Sequence, residues 1–401
     1  MRRGGEREYF LFFFDEKLDF VGHFIYNGDI NIYVYVEVIM NKLFLYEDFF
    51  TRDEKEVVSF GALSASLFTY STGVKAVRLK NDRGAIVVLP YMGQMIWRAE
   101  FDGYDMTMKT IFDEPIPAKM TFEETYGCFL MHCGLTAMGN PTAEDDHLPH
   151  GELPICKYQT VYIVSGCDEG GKYIGLSGIY TRQSCYAINY EFSPLVKIYE
   201  GKTVIDVTAS FTNKKDVPLE YYYLCHINHR PVDGARLEYT ADRKSIKVNH
   251  EVPDGYFSEA DAEATNRYLD ALDRDPGIMD EIGAEGQSYR PEIVFYAKYS
   301  ADENGNAYTM QYNENGPSTF VIHRPEELPF GIRWISRTED EDTLGMVLPA
   351  TSEHLGKLYC QRNGQSKFLN KGETVTYHMQ TGLLNNEEAD ALRAKIKAMG
   401  F

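Results

Sequence analysis

The chain has 401 residues, with 29 Tyr and 23 Phe against two Trp, and Gly and Pro recur as punctuation throughout. This is the composition of a large β protein, and although the length allows two domains, all-β sandwiches can run this long as one. A formal charge of −20 opposes binding to nucleic-acid backbones or anionic lipid and favours a soluble protein that meets a neutral small ligand, while seven cysteines without a Cys-x-x-Cys pair argue against a disulfide framework or zinc ribbon and point to a reducing cytosol.

Residues 1–39 do not match the rest. Arg2-Arg3 and the apolar run Tyr9 to Phe14 suggest a signal peptide, but Asp15, Glu16, Lys17 and Asp19 interrupt the run and no small-residue cleavage site follows. No stretch of roughly 20 apolar residues offers a membrane span. Met40 opens a segment that reads as an ordinary N-terminus. The expectation is that the native fold is one domain over residues 40–401, with 1–39 an atypical extension; an N-terminal strand pair is the alternative.

From residue 57 the chain reads as β-meander. Val57 to Gly61 leads into Ala65 to Leu79, Asn81-Asp-Arg-Gly84 makes a turn, and Ala85 to Pro90 returns as a buried strand. Tyr91 to Gly103 continues into a further hairpin. Met131 to Pro141 and the acidic loop Thr142 to Asp146 then precede His147-Leu-Pro-His-Gly-Glu-Leu-Pro154. There the glycine after His150 allows close approach to a ligand, and the prolines restrict the flanks.

The most informative passage follows. Thr203-Val-Ile-Asp-Val-Thr-Ala-Ser-Phe-Thr-Asn213 alternates at period two, Lys214 to Pro218 supplies turn residues, and Leu219 to Cys225 is aromatic and β-rich. This reads as a hairpin that delivers His226 to a cleft at the point where polar sequence resumes. Of Tyr221, Tyr222 and Tyr223, alternation lets at most one or two face a ligand; the run reads as core. Helical content is peripheral: Ser258 to Asp273, acidic and stopped at Asp275-Pro-Gly277, and Asn386 to Met399, with Asn386 as N-cap and lysines near its end. Between them, Arg290 to Tyr296 is an apolar strand opened by Glu292, and Leu328 to Ser336 places Arg333 and Trp334 on opposite faces, so that one of the pair sees the site.

A strand, an Asn-x-x-x-x-Pro turn and a strand ending in His-x-Asn, as at 213–228, resemble the galactose mutarotase (aldose 1-epimerase) superfamily. The likeness runs in order over most of residues 60–385. It implies a large antiparallel β-sandwich, all-β with minor helices, and His226 as the acid histidine. It also implies a sugar contact at His150, where Glu152 replaces a usual glycine, a hydroxyl-gripping role for Glu292, and Gln94 and Arg98 on a strand over the concave sheet. Trp97 and Trp334 are the aromatic platforms to weigh, each equally readable as core. Leu344 to Gly356 and Asn370-Lys-Gly-Glu373 match the late framework, but Leu348 precedes Pro349 where the family carries its glutamate base. Glu353, Glu152 and Glu292 are the replacements, with Glu353 nearest in sequence. The Cys-Gly-Leu block and the Leu-Pro-Ala-Thr segment place the chain nearer to an uncharacterised aldose-epimerase-like branch than to true galactose mutarotases.

Metal is weighed at His132, Cys133, His147, His150, His226 and His229. Their spacing matches no standard zinc pattern, and residues 132 and 133 point to opposite faces of a strand. No metal and no cofactor is expected, since opening a sugar ring needs only an acid and a base of suitable pKa. The expected function is aldose 1-epimerase-like isomerisation of a sugar or modified sugar by a monomer or homodimer. The alternatives are a non-catalytic sugar binder, motivated by Leu348, and a lyase or hydrolase if Glu152 and Glu292 face each other across a glycosidic bond.

Overall fold

The computed structural model describes the backbone of residues 14–26, 30–250 and 258–401, and side chains over 40–250 and 258–401. The expectation about residues 1–39 thus concerns side chains outside those described; the backbone of Phe14–Tyr26 pairs antiparallel with Ile30–Leu45, whose last residues pair with Thr160–Asp168.

Among the described residues two antiparallel sheets, of ten and thirteen strands, make a sandwich. The meander expected over 57–103 is present as consecutive neighbours in the thirteen-stranded sheet: Lys55–Phe60, Leu63–Thr69, Lys75–Lys80, Gly84–Val88 and Ile96–Phe101. The run 65–79 is two strands, because Tyr70 to Val74 turns between them with Gly73 at φ 91°. In Val204–Asn213 the period-two pattern is literal: Ile205, Val207, Ala209, Phe211 and Asn213 are buried and the residues between them half-buried.

One expectation needs correcting. Residues 204–213 and Leu219–Ile227 do not form a hairpin: the first pairs with Ile188–Tyr199 and Thr374–Leu384 in the ten-stranded sheet, the second with Leu130–Leu135 in the thirteen-stranded one. Alternation identifies a strand but not its partner. Here Asn213 Nδ2 donates to the carbonyls of Val217 and Leu369, both at 2.9 Å, which fixes the bend that carries the chain from one sheet to the other.

Apolar side chains fill both faces of the thirteen-stranded sheet. The main core lies between the sheets and includes Phe129, Phe192, Phe211, Tyr223, Cys225 and Phe295. A second cluster, with Trp97, Met131, Tyr222, Leu224, Ile332 and Leu348, covers the outer face beneath the loops. Each large apolar side chain removed from water in this way stabilises by roughly 1.5–3 kcal/mol before entropy is counted. The helices are peripheral: α1 (Glu259–Arg274, capped by Ser258), a short α2 (Lys357–Arg362) that the sequence did not announce, and α3 (Asn386–Ala398). The N-cap of α3 is Asn385, one residue earlier than expected, because Asn385 and Glu388 close a reciprocal capping box. No helix among the described residues is long and apolar enough to cross a membrane.

Candidate active site

A cavity of about 650 Å³ opens over the outer face of the thirteen-stranded sheet. Leu219–Ile227 presents Leu224 and His226 to it; Ile293–Ala297 and the residue before it present Val294 and Glu292; Phe330–Arg337 presents Ile332, Trp334 and Ser336; Asp342–Ala350 presents Leu348. Each set has the two-residue spacing of one strand face. Loops close the sides with Phe122, Tyr126, Asn140, His150 and His354. A larger cleft, about 790 Å³, lies between Phe44–Glu47 and Lys157–Val161. It holds no histidine, and its charged groups Glu47 and Lys157 already pair at 2.7 Å.

His226 is held in a defined tautomer. Asn228 Nδ2 donates to the Cys128 carbonyl at 2.9 Å, so Asn228 Oδ1 must face His226 Nδ1, 2.8 Å away, and accept its N–H. Tyr126 O–H donates to the same oxygen at 3.2 Å. With Nδ1 protonated, neutral His226 keeps a lone pair on Nε2. Burial pushes the His226 pKa down to about 4, against a smaller opposing effect of the Asn228 hydrogen bond, so the ring is neutral near pH 7. Trp334 packs edge-on at 5.2 Å between centroids and His150 at 5.4 Å.

Glu292 is linked to the histidine through one shared side chain: Trp334 Nε1–H donates to Glu292 Oε2 while the same indole packs against the His226 ring. Burial raises the Glu292 pKa, and the Trp334 hydrogen bond offsets this only in part. Glu341, also on the cavity wall, is raised by burial and by neighbouring Asp340.

His150 has φ 58°, a left-handed conformation that costs a non-glycine residue strain. Its backbone is clamped: the N–H donates to the Gly139 carbonyl and its own carbonyl accepts from Gly134 N–H, both at 2.9 Å. The following Gly151, at φ 76°, is required by the chain itself, since a Cβ there would meet the Ala137 and Gly134 carbonyl oxygens at 2.3 and 2.4 Å. The expected ligand approach at Gly151 is therefore a backbone approach. His150 Nδ1 is buried with no partner; burial, then His226 and His354, hold its pKa well below the usual value. His354, 2.8 Å from the Tyr296 hydroxyl through Nδ1, is pushed down to about 4 by burial. Its carbonyl accepts from Asn140 N–H at 2.8 Å, which ties the two histidine loops together.

The structure thus brings His226, His150, Glu292 and Trp334 together. It places four other candidates elsewhere. Glu353 turns away from the cavity, accepting from the Tyr359 hydroxyl at 2.7 Å with Lys247 at 3.6 Å; its chain neighbour His354 takes the cavity-facing position. Glu152 accepts from the Thr136 and Tyr190 hydroxyls at 2.8 and 2.7 Å and anchors its loop to the ten-stranded sheet, so it does not oppose Glu292. Gln94 is buried, its Nε2 against Gly178 of the ten-stranded sheet and so between the layers. Arg98 donates to the carbonyls of Trp97, Gly127 and Phe112 and covers the ring of Trp97, which is wholly buried core. On the other side of the sheet from Trp334, Arg333 donates to the Met346 carbonyl over the Tyr239 ring. Of the residues weighed for a metal, His132 and His229 face the inter-sheet core, bonded to Tyr223 and Thr381, and His147 ties its loop to the start of α2, with Nδ1 against the Leu148 carbonyl and Nε2 accepting from Lys357 N–H.

Sequence reasoning missed Tyr126, His354 and Glu341. His354 was within reach, standing next to Glu353 in the late framework; Tyr126 had no signal, since its role comes from a hydrogen bond to a residue 102 positions away.

Comparison with known proteins gives a consistent fold. A structure described as a "putative aldose 1-epimerase" from Klebsiella pneumoniae subsp. pneumoniae MGH 78578 is 18% identical, covering 90% of this chain and 96% of its own, with a TM-score of 0.74. The Slr1438 protein of Synechocystis sp. PCC 6803 is 11% identical over 77% of this chain and 96% of its own, with a TM-score of 0.52. A galactose mutarotase-like protein from Lactobacillus casei ATCC 334 is 10% identical over 77% of this chain and 100% of its own, with a TM-score of 0.46. No curated protein matches the chain. The family model described as a domain of unknown function (DUF4432) matches residues 71–383, more than half of the chain. The chain therefore belongs to the DUF4432 family.

Proposed function

We propose that the protein is a cofactor-free sugar isomerase of the aldose 1-epimerase kind, with His226 and Glu292 as its acid/base pair. The observation that carries this reading is the pairing of an unprotonated His226 Nε2 with a carboxyl of raised pKa in one apolar-walled cavity. Environments that push two titratable groups in opposite directions assign their roles. Burial favours the protonated form of Glu292 and the neutral form of His226, so in this reading the carboxyl is the acid and the histidine the base, where the resemblance implied the acid.

The steps balance. His226 Nε2 takes the proton of the anomeric hydroxyl, the bond from the anomeric carbon to the ring oxygen breaks, and Glu292 protonates the ring oxygen as it leaves. The aldehyde rotates about its bond to the adjacent carbon. On reclosure the hydroxyl returns its proton to Glu292, and His226 gives its proton to the carbonyl oxygen, so both groups end as they began. In this reading His150 and His354, which line the cavity, bond sugar hydroxyls, and Trp334 offers an aromatic edge. In this reading the protein works in the cytosol, where its seven unpaired cysteines stay thiols.

Anomer exchange measured by NMR over a broad aldose panel tests the proposal. Acceleration is expected, and Glu292→Gln should lower it by about 10²–10⁴-fold. Rates equal to the uncatalysed ones for every sugar would overturn it. Leu348, which lies in the cavity beside Ile332, favours a second reading as a sugar binder. That reading predicts sugar-dependent thermal stabilisation without turnover.

A further inference from the structure

We propose that Glu341 sets the charge class of the substrate: its carboxylate accepts hydroxyls of an uncharged sugar and keeps phosphorylated and uronic acid sugars out of the cavity. This deepens the isomerase reading above and rests on it for the reaction that is measured.

Glu341 lies in the turn that joins Phe330–Arg337 to Asp342–Ala350. The turn is closed without its side chain. Thr338 N–H donates to the Glu341 carbonyl at 2.7 Å, and Glu341 N–H donates to Thr338 Oγ1 at 3.0 Å. The nearby cations bind other groups: Lys109 Nζ donates to the Glu339 carbonyl at 2.6 Å, Arg290 pairs with the Glu339 carboxylate, and Arg337 pairs with Asp342 and Asp233 at 2.7 and 2.6 Å. Among the described residues none donates to the Glu341 carboxyl or pairs with it. A half-buried carboxylate in this position has lost hydration without gaining a partner. Because it lines the cavity, a bound ligand can supply one.

Charge decides the kind of ligand. The described residues that line the cavity include Glu123, Glu292 and Glu341 and no Lys or Arg. Glu292 carries a proton in the reading above, and burial keeps His150, His226 and His354 neutral. Glu123 is exposed and accepts from the Thr121 hydroxyl at 3.0 Å. Glu341 is thus the charge that an occupant of the cavity meets. Burial, then Asp340, raise its pKa, but the side chain keeps contact with water and stays ionised at neutral pH. A carboxylate offers acceptors alone, two oxygens that suit two neighbouring hydroxyls. A phosphate or carboxylate beside it meets like charge with no cation to offset it.

The strand register places this carboxylate within reach of the reacting groups. Along Phe330–Arg337 the cavity-facing residues run Ile332, Trp334, Ser336, and Thr338 follows, against which Glu341 is folded back. His354 stands toward the other end, bonded to Tyr296, the partner of Ile332. A sugar held at Trp334 between His226 and Glu292 then has a histidine on one side and Glu341 on the other. Tyr126, whose hydroxyl bonds Asn228 beside His226, feels the charge of Glu341 as well as that of Glu292.

The test uses the full-length protein and the aldose it turns over fastest, set against that sugar's terminal phosphate ester and its uronic acid. Anomer exchange by NMR should give kcat/KM at least about tenfold higher for the uncharged sugar than for either anion. Glu341→Gln should narrow that ratio several-fold and raise KM for the uncharged sugar more than it lowers kcat. Glu341→Lys should narrow the ratio further, and thermal midpoints show whether both variants are folded. Equal turnover of the uncharged and anionic sugars, or a ratio that neither folded variant alters, overturns the proposal and leaves the isomerase reading standing. If no sugar is turned over, the isomerase reading falls, and thermal shifts with galactose against galacturonate and glucose against glucose 6-phosphate decide the ligand class. Greater stabilisation by the uncharged member, lessened in Glu341→Gln, upholds the proposal; equal or absent stabilisation, or a preference that Glu341→Gln leaves intact, overturns it.

Discussion

His132 and His226 stand on neighbouring strands of one sheet, on opposite faces. On the inner face His132 Nδ1 lies 2.8 Å from the Tyr223 hydroxyl and the ring packs edge-on against Phe192. On the outer face His226 is tied through Nδ1 to Asn228, and its ring borders the cavity between Trp334 and His150. Both are buried and both have depressed pKa values, about 3 and about 4. Burial and a shifted pKa therefore do not distinguish a structural histidine from one fit for chemistry. The difference is what the second ring nitrogen meets: packed protein in one case, a volume large enough for a ligand in the other.

The largest effect that would break this contrast is on turnover. His226→Gln should lower anomer exchange by about 10²–10⁴-fold with little change in thermal midpoint. Tyr223→Phe, which leaves His132 Nδ1 without its partner, should destabilise by about 1–3 kcal/mol and leave kcat/KM unaltered. If the two variants exchange these phenotypes, the faces have been assigned the wrong way round.

Acid should act on both faces alike. His226 and His354 are depressed to about 4, and His132, His229 and His323 to about 3, whereas an unfolded histidine titrates near 6.5. The unfolded chain then binds more protons between these values. Stability is complete above about pH 6.5 and falls as pH drops toward 3–4, by on the order of 1.4 kcal/mol per pH unit for each histidine that stays neutral. Urea midpoints at pH 7.5, 6.5 and 5.5 check this: a flat profile would mean that these rings are protonated in the native state.

The smallest effects sharpen the outer face alone. Asn228→Asp sets a carboxylate against Nδ1 and should raise the His226 pKa from about 4 by roughly 1–2 units. Trp334→Phe removes the indole N–H that favours the ionised Glu292 and should raise that carboxyl further. NMR titration of the ring and of the carboxyl carbon reads both shifts, and a fall in either pKa would contradict the hydrogen bonding described here.

The alternation of Leu219 to Ile227 already separates Tyr221, Tyr223 and Cys225 from Leu224 and His226, and that of Leu328 to Ser336 separates Arg333 from Trp334. Those separations hold in the structure because side-chain direction along a strand is local geometry. Glu353 shows where such reasoning stops. It lies in a segment of bends between a strand and α2, where no period applies, and the chain turns His354 to the cavity instead. Glu152 fails for a different reason: Thr136 and Tyr190, which hold it, come from other parts of the chain, and no pattern around residue 152 could name them.

By itself the sequence determined many of the strands, their buried faces, the two outer helices to within a few residues and the presence of a histidine at a strand end, all of which follow from propensities and periods a few residues long. Only the tertiary structure decided that residues 204–213 and 219–227 part into different sheets, that Asn228 fixes the His226 tautomer, and that Glu292 shares its cavity while Glu353 does not. The reason is that a cavity is formed by side chains from separate strands and loops, and its membership depends on which strands pair, a long-range choice that local alternation leaves open.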